Sequence, residues 1–370
     1  MNKKLKIDKP LIFLLIIFFI ISTITIKSAM TYLSSDLGNL ALKQILWFLL
    51  GFILIFIIIK IGNERIFKHI HYLYFTFNIL LLLLLFIAEP INGSKCWFIL
   101  PGIGSFQPSE FMKIILILTL SKIIHNFKNK HPNPSIKDEF LFIIKTFIIV
   151  LIPSILTFLE PDTGAVMIYL IIYFTMIFIS GIRKFWFIIS FLILLTILII
   201  FLSIFYFNQE LFINIIGTNI FYRIDRLFAW KSGTGFQLEN ALTAIGSSGF
   251  LGHGYNQTPI YFPESATDFI FAVFASNFGF LSSIILLLLF IIFDFRILNI
   301  YKTKAPLNYI CVGIFAMLLF QQIQNIGMTL GLLPIMGITL PFISYGGSSL
   351  LSYMIILGII LKDDKKVMII

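Results

Sequence analysis

The sequence predicts an all-α polytopic membrane protein with about ten transmembrane helices and a long extracytoplasmic loop between the seventh and the eighth. Of its residues, 59% are hydrophobic and 12% are charged, and the mean hydropathy of +1.01 is too high for a soluble domain. The apolar residues form runs long enough to cross about 30 Å of hydrocarbon, which takes about 20 helical residues. Most basic residues fall in the short links between these runs.

The apolar runs follow one another along the whole chain. The first, near residues 10–27, follows several lysines as in a signal peptide, but it lacks a small-residue cleavage site, so we expect it to remain as the first helix. The other long runs lie near 44–61, 72–88, 141–158, 164–181, 186–207, 268–292 and 307–330. Two shorter runs, 110–124 and 347–361, bring the number to ten.

The distribution of charge predicts the topology. An even number of spans puts both chain ends on one side, and with that side taken as the cytoplasm, 19 of the 27 Lys and Arg lie in inner segments. The net charge of +10 is therefore a topology signal and does not indicate a nucleic-acid partner. We expect one integral membrane domain over residues 1–370, in which 208–267 is the large outer loop. The cysteines, Cys96 and Cys311, indicate neither a disulfide framework nor a metal cluster.

Two carboxylates four residues apart, Glu264 and Asp268, stand where the long loop meets the eighth apolar run, in YFPESATDFIFA. Asp268 is predicted at about the first residue of that helix. An acid in this position can simply cap the helix. It can also act as a base, because a carboxyl group between water and a low-dielectric wall can have a raised pKa. The residues alone leave both interpretations open.

A second outer motif precedes the fourth span, where GSKCWFILPGIGSFQPSEFMK places Trp97 at the depth of the membrane interface. Ser109 is predicted as the N-cap and Glu110 as a first-turn acid. Lys113 is costly in hydrocarbon unless it is paired, so we favour a Glu110–Lys113 pair that faces a water-filled cavity. In EPDTG, helix capping explains Asp162 as well as a functional role does.

The long loop carries Arg223 and Arg226 on the outer side, against the topology rule. A phosphate or pyrophosphate ligand would explain them. The glycine-rich stretch that follows, with Gly246 and Gly249, could present backbone N–H groups to an anion. The alternative is an ordinary loop in which the arginines pair with nearby acids. Those acids are Asp225, Glu239 and Glu264.

The last outer link interrupts a helix with Gly331 and Pro334 and continues as GITLPFISYGGSSLL. Non-helical backbone at membrane depth must be buried in protein or line a wet cavity. Four amides in the preceding helix are too polar for a lipid-facing surface, so we expect them to join helices or line the same cavity. They are Gln321, Gln322, Gln324 and Asn325.

Taken together, these motifs resemble those of the SEDS family, to which RodA, FtsW and SpoVE belong. They occur in the family's order and on the expected side of ten spans. The motifs are GSKCW with QPSEFMK, EPDTG, AIGSSGFLGHG, FPESATDFIFA and NIGMTLGLLPIMGITLPFISYGGSS. Thr339 in GITLPF resembles FtsW whereas the minimal tails resemble RodA, so elongation, division and sporulation all stay open.

The resemblance implies a peptidoglycan glycosyltransferase that polymerises lipid II, a disaccharide-pentapeptide on undecaprenyl pyrophosphate, at the outer face of the bacterial cytoplasmic membrane. It implies a class B penicillin-binding protein as partner, membrane lipid around the helices, and Asp268 as the catalytic base. The substrate-binding residues on this scheme are Lys95, Trp97, Gln107, Glu110, Lys113, Arg223, Arg226, Gly246, Gly249, Glu264, Ser344 and Gly346. No cofactor is required, although Mg²⁺ or Mn²⁺ on oxygens such as those of Glu264 or Asp162 could share the pyrophosphate charge.

Some positions depart from the family pattern. Cys96 stands where relatives generally have an arginine, Ser276 and Asn277 stand where the family often shows paired glutamates, and the segment 255–262 is shorter than usual. Two other functions stay open: a flippase for lipid-linked precursors, and a non-catalytic scaffold for a penicillin-binding protein. A flippase needs a polar path to both leaflets, whereas the unusual residues here crowd the outer side, which favours the polymerase. The presence of Asp268 argues against the scaffold.

Overall fold

The computed structural model describes residues 8–32, 39–91, 93–100, 104–218, 235–300 and 305–361. Within these ranges the chain forms α-helices and one antiparallel hairpin, in which Phe98 pairs with Phe106. The elements in chain order are α1 (Lys9–Ala29), α2 (Leu40–Ile61), α3 (Asn63–Ile87), β1 (Phe98–Leu100), β2 (Gly104–Phe106), α4 (Pro108–Lys130), α5 (Ile136–Leu159), α6 (Thr163–Ile179), α7 (Phe185–Phe207), α8 (Gln209–Ile216), α9 (Phe236–Ser247), α10 (Ile270–Ile300), α11 (Leu307–Thr329) and α12 (Gly347–Leu361).

Ten helices account for the predicted spans. In the described part of the chain, seven are long and apolar enough to cross a membrane: α1, α2, α3, α5, α7, α10 and α11. The apolar helices α6 and α12 are shorter, and the charge-bearing α4 is the tenth. Both α3 and α4 extend beyond the predicted apolar runs, because their polar turns continue the helix past the hydrocarbon. The all-α class and the number of spans are confirmed.

The centre of the bundle is formed by α4, α11 and α12. Helix α12 packs along α2, α4 packs against α3 and α6, and α11 packs against α6 and α10. Small residues permit close approach: a Cβ added to Gly358 of α12 would meet Ile58 of α2 at 3.1 Å. Helix α7 is the opposite case, because Phe205 is its only buried residue.

Helix α10 is broken at Gly279, whose φ of 76° and ψ of −174° are not helical. The segment 248–254, which follows α9, lies against the break. Its backbone replaces the lost helical hydrogen bonds, and the donors and acceptors are His253 N to Ser276 O, Gly254 N to Asn277 O, Phe280 N to Gly249 O and Leu281 N to Phe250 O, at 3.0–3.2 Å. The break is satisfied by protein backbone, as unpaired backbone groups at membrane depth require.

Candidate active site

Asp268 lies in a turn immediately before α10, which begins at Ile270, two residues later than predicted. The turn is folded around Glu264, whose backbone oxygen accepts a hydrogen bond from Phe269 N at 3.0 Å. Oε2 of Glu264 accepts a second one from Thr267 Oγ1 at 2.6 Å. None of the hydrogen bonds among the described residues ends on the Asp268 carboxylate, so this acid does not cap α10.

Asn325 of α11 joins the Asp268 turn to the link that follows α11. Its Nδ2 donates to Asp268 O and to Ile338 O, each at 2.7 Å, and the side chain is fully buried. The predicted role of the four amides in joining structure is confirmed. The others also bind neighbours: Gln321 to Tyr353, Gln322 to Asp294, and Gln324 to Pro334 O. Nothing in the sequence marked Asn325 above the other three.

Ser344 makes the second connection between these two segments. Its Oγ donates to Thr267 O at 2.6 Å and accepts from Leu340 N at 2.8 Å. Both capacities of the hydroxyl are therefore used by backbone, and the residue is buried. Gly346 lies just before α12, and its carbonyl accepts from Leu350 N at 3.1 Å. The structure brings both residues to the site as supports of the backbone, and their predicted contact with substrate stays a prediction.

The Asp268 carboxyl is in a setting that suits a base. Burial, with smaller contributions from the nearby carboxylates of Glu264 and Asp162, raises its pKa to about 7. The residue nevertheless stays half-buried rather than closed off. Gly337 in the facing link is exposed, and a Cβ added there would lie 3.7 Å from Asp268 Oδ2. A general base works best when its pKa is close to the operating pH.

Asp162 organises the neighbouring part of the site. Its Oδ1 accepts from Ala165 N at 2.9 Å, so it caps α6. Its Oδ2 accepts from Gln107 Nε2 and from Ser109 Oγ, each at 3.1 Å. The prediction of Ser109 as an N-cap is wrong, because Pro108 starts α4 and Gln107 occupies the cap position. Proline suits the first helical position, since its φ is fixed and it needs no N–H partner.

The predicted pair between Glu110 and Lys113 is confirmed, with Nζ 2.6 Å from Oε2. The Lys113 side chain is fully buried, however, and its Nζ lies 5.7 Å from the centre of the Tyr353 ring. The expectation that Lys113 faces a water-filled cavity is therefore wrong, because α6 and α12 pack around this part of α4. Glu110 keeps 12% of its side chain exposed and is the accessible member of the pair.

The link 94–97 packs on the end of α5. Lys95 N and Cys96 Sγ both donate to Glu160 O at 3.2 Å, and Lys95 Nζ donates to Leu85 O at 3.2 Å. The Lys95 ammonium thus binds a carbonyl near the end of α3. Burial, with a smaller contribution from Asp162, raises the pKa of the Glu160 carboxyl to about 9, so this acid is neutral at pH 7.

The glycine-rich loop uses several of its backbone N–H groups within the fold, and the predicted contact of Gly246 and Gly249 with an anion stays a prediction. Gly246 is helical within α9, and Gly249 lies in the following turn with a φ of 58°. The N–H groups of His253 and Gly254 are already used at the break in α10. Asn277 also lies at the break in α10. Its side chain accepts a hydrogen bond from Thr258 Oγ1 at 3.0 Å and donates one to Ser28 Oγ. These residues build the fold beside the site.

Three further expectations concern the loop arginines, Trp97 and a metal ion. Arg223 and Arg226 lie outside the described residues and stay predictions. Trp97 is half-buried, so part of its ring is accessible. No group of three His, Cys, Asp or Glu side chains in the described ranges is arranged to hold a metal ion, and both oxygens of Asp162 are already hydrogen-bonded.

Comparison with known proteins identifies the family. A family model described as "Cell cycle protein", which joins FtsW, RodA and SpoVE, matches residues 8–367. This chain belongs to the SEDS family. The SEDS chain is 32% identical to "Probable peptidoglycan glycosyltransferase FtsW" of Haemophilus influenzae, over 96% of this chain and 90% of that protein. It is 31% identical to "Stage V sporulation protein E" of Bacillus subtilis, over 98% of each.

Solved structures show the same SEDS fold. A chain of the structure named "Structural coordination of polymerization and crosslinking by a peptidoglycan synthase complex" superposes with a TM-score of 0.77 at 25% identity, over 97% of each chain. The crystal structure of the rod shape determining protein RodA from Thermus thermophilus superposes with a TM-score of 0.68 at 24% identity, over 96% of this chain and 95% of that one. The predicted family and fold are confirmed.

Proposed function

We propose that this SEDS protein is a peptidoglycan glycosyltransferase that polymerises lipid II into glycan strands. The observation that carries the proposal is the state of Asp268, a half-buried carboxyl with a pKa of about 7 and no hydrogen-bond donor among the described residues. Its backbone is fixed from two sides by Asn325 and by the turn around Glu264. The names of the curated relatives support the same activity.

In the proposed reaction, the Asp268 carboxylate takes the proton from the 4-hydroxyl of the acceptor sugar. The freed oxygen forms a bond to the anomeric carbon of the donor sugar, and the bond from that carbon to pyrophosphate breaks. Pyrophosphate leaves with the electron pair, so its charge needs a cationic partner. Lys113 is paired and Lys95 binds a carbonyl, so we assign this role to Arg223 and Arg226.

We further propose that Asp268 faces the outside of the cytoplasmic membrane and that both chain ends are cytoplasmic. The excess of basic residues at the opposite ends of the helices supports this orientation. A class B penicillin-binding protein would cross-link the strands that this protein makes. The synthase complex, whose name joins polymerization to crosslinking, supports such a partner.

The test is polymerisation of labelled lipid II by the purified protein, alone and with its cognate penicillin-binding protein. Asp268→Asn keeps the shape of the side chain but removes the base, so we expect a loss of about a hundredfold or more. Asp294→Asn is the matched control, because Asp294 is a buried carboxyl in the other half of α10, bonded to Gln322. It should polymerise within a few-fold of the wild type.

Two results would contradict the proposal. Full activity of Asp268→Asn would remove Asp268 as the base while leaving the enzyme in place. Absence of polymer from the wild type, with the partner still bound, would leave the scaffold or the flippase. Transport of a fluorescent precursor across proteoliposomes would then separate these two.

A further inference from the structure

Lys145 has an unusual position for a cation. It lies in the spanning helix α5, nine residues after the first one, which is about 14 Å along the helix axis. The flanking side chains are Ile143, Ile144, Thr146 and Phe147. Lys145 is exposed on the helix surface, and no carboxylate of the described residues lies within ion-pair distance of it. A charge within a spanning helix needs either water or an anion.

A cleft beside Lys145 has room for such an anion. It has a volume of about 330 Å³ and lies between the last turns of α4 and the first turns of α5. Its rim is polar, with Asn126, Lys130 and His131, and its walls are apolar, with Phe127, Leu141 and Phe142. Lys130 is exposed and, like Lys145, has no carboxylate within ion-pair distance in the described ranges. Two unpaired ammonium groups therefore line one cleft.

The acid in the cleft, Asp138, is already engaged. Its Oδ2 accepts hydrogen bonds from Ser135 N at 3.0 Å and Ser135 Oγ at 2.8 Å. Asp138 N donates in return to Ser135 Oγ at 3.2 Å, which completes the capping box of α5. The same oxygen lies 3.6 Å from His131 Nδ1. Asp138 thus stabilises the start of the helix and leaves the two lysines without a counter-ion.

The cleft is remote from the candidate active site. Helix α4 begins at Pro108, next to the Asp162 cluster, and reaches the cleft at Lys130, 22 residues later and about 33 Å along the axis. This distance is the thickness of the hydrocarbon core. A ligand in the cleft therefore belongs to the leaflet opposite the one that Asp268 faces.

We propose that this cleft binds the phosphate headgroup of an anionic phospholipid. Lysines between helices at the membrane surface attract such headgroups, and each can also donate hydrogen bonds to phosphate oxygens. The apolar walls distinguish a phospholipid from free phosphate, because only the lipid has glycerol and acyl carbons to place against Phe127 and Leu141. The long side chain of Lys145 can reach from hydrocarbon depth to the phosphate level.

The test is native mass spectrometry of the purified full-length protein, titrated with phosphatidylglycerol or phosphatidylcholine. The double variant Lys130→Gln, Lys145→Gln should bind its first phosphatidylglycerol about thirtyfold more weakly than the wild type, from the usual contribution of two lysines near anionic lipid. The charge-matched control is Lys68→Gln, Lys137→Gln, which removes two exposed lysines at the same end that do not line the cleft. It should bind within about twofold of the wild type.

A second variant and a competitor complete the design. Asn126→Glu places a negative charge on the rim and should weaken phosphatidylglycerol binding while leaving the unliganded melting temperature within 2 °C or so of the wild type. Inorganic phosphate at equal ionic strength should not displace the lipid. Equal weakening in both double variants, or none in the cleft variant, would overturn the proposal. Displacement by inorganic phosphate would show that the cleft takes a free anion, and equal binding of phosphatidylcholine would show that charge is not recognised.

Discussion

Asp268 is positioned through its backbone, which leaves its carboxylate available. The carbonyl accepts from Asn325, and the adjacent Thr267 and Phe269 are bonded to Glu264 and Ser344. A carboxylate that accepted several hydrogen bonds would have a lowered pKa and would be a weaker base. Burial without such bonds has the opposite effect and raises the pKa to about 7.

The raised pKa predicts a pH dependence of polymerisation. A base acts only when deprotonated, so below pH 7 the rate should fall about tenfold per pH unit, and above pH 7 it should level off. With an ordinary carboxyl pKa, the rate would already be level from about pH 5. Initial rates measured between pH 5 and 9, with lipid II in excess, would decide. A flat profile through pH 7 would contradict a base with this pKa.

Gly337 predicts a second effect at the scale of single residues. Its φ of 64° disfavours any side chain, and a Cβ there would stand 3.7 Å from Asp268 Oδ2. Gly337→Ala should therefore lose roughly 1 kcal/mol of stability and also reduce the polymerisation rate severalfold, because its methyl group covers the carboxylate. Gly217→Ala is the control, since Gly217 has a φ of 92° and open space around it. Polymerisation and melting temperature should be measured for both; equal rates would show that Gly337 is only a turn residue.

At the scale of elements, the broken helix α10 determines how the loop that follows α9 meets the helical bundle. The segment 248–254 supplies both donors and acceptors to the break at Gly279. The half of α10 that follows Asp268 is thereby bonded to the loop on one side and packed on α11 on the other. Gly252 permits this contact, because a Cβ there would overlap backbone atoms of Asn277.

Substitutions at two loop glycines should separate steric overlap from backbone strain. Gly252→Ala should cost about 3 kcal/mol or more, since overlap with fixed backbone is added to the cost of a positive φ. Gly249→Ala has a similar φ of 58° but open space, so it should cost about 1 kcal/mol. Unfolding of the purified variants in detergent would measure the difference. Equal destabilisation by the two substitutions would mean that the segment 248–254 can move away from the break in α10 at little cost.

The spanning helices were predictable from sequence because each follows from a local property, the length of an apolar run, whereas α8 and α9 lie inside the segment predicted as a loop. Asp268, Asp162 and the Glu110–Lys113 pair were predictable for a related reason, since a charge beside such a run is conspicuous. The break in α10 at Gly279 was not predictable, because its hydrogen bonds join residues 23 to 31 positions apart. A glycine alone indicates only conformational freedom. The burial of Lys113 was not predictable either, since it depends on α12, which comes more than 200 residues later.

At the scale of the whole molecule, the two ends of the bundle differ in kind. One end holds buried carboxyls and interrupted backbone around Asp268, and the other holds basic links and the cleft at Lys145. A protein with this polarity has one orientation that the positive-inside rule favours. Cys96 and Cys311 are buried, which leaves little background for chemical labelling of new cysteines.

The proposed orientation predicts which cysteine variants are labelled in intact cells. A membrane-impermeant maleimide should modify Tyr255→Cys from outside, because this residue is exposed in the loop that follows α9. Lys137→Cys, exposed at the start of α5, should react only after the cells are permeabilised. Mass-shift gels of each variant, with the wild type as background control, give the result. Labelling of Lys137→Cys in intact cells would reverse the proposed topology.

Helix α7 has a different relation to the rest of the protein. Apart from Phe205, none of its side chains is buried, and of the seven long apolar helices it contains the most hydrophobic stretch. A helix whose surface contacts lipid rather than protein needs only to be apolar along its length. Permuting the residues of α7 would keep that property. Permuting the residues of α11 would move its four amides away from the groups to which they are hydrogen-bonded. For α7, the overall hydrophobicity of the segment determines its place in the membrane, and the order of its residues does not.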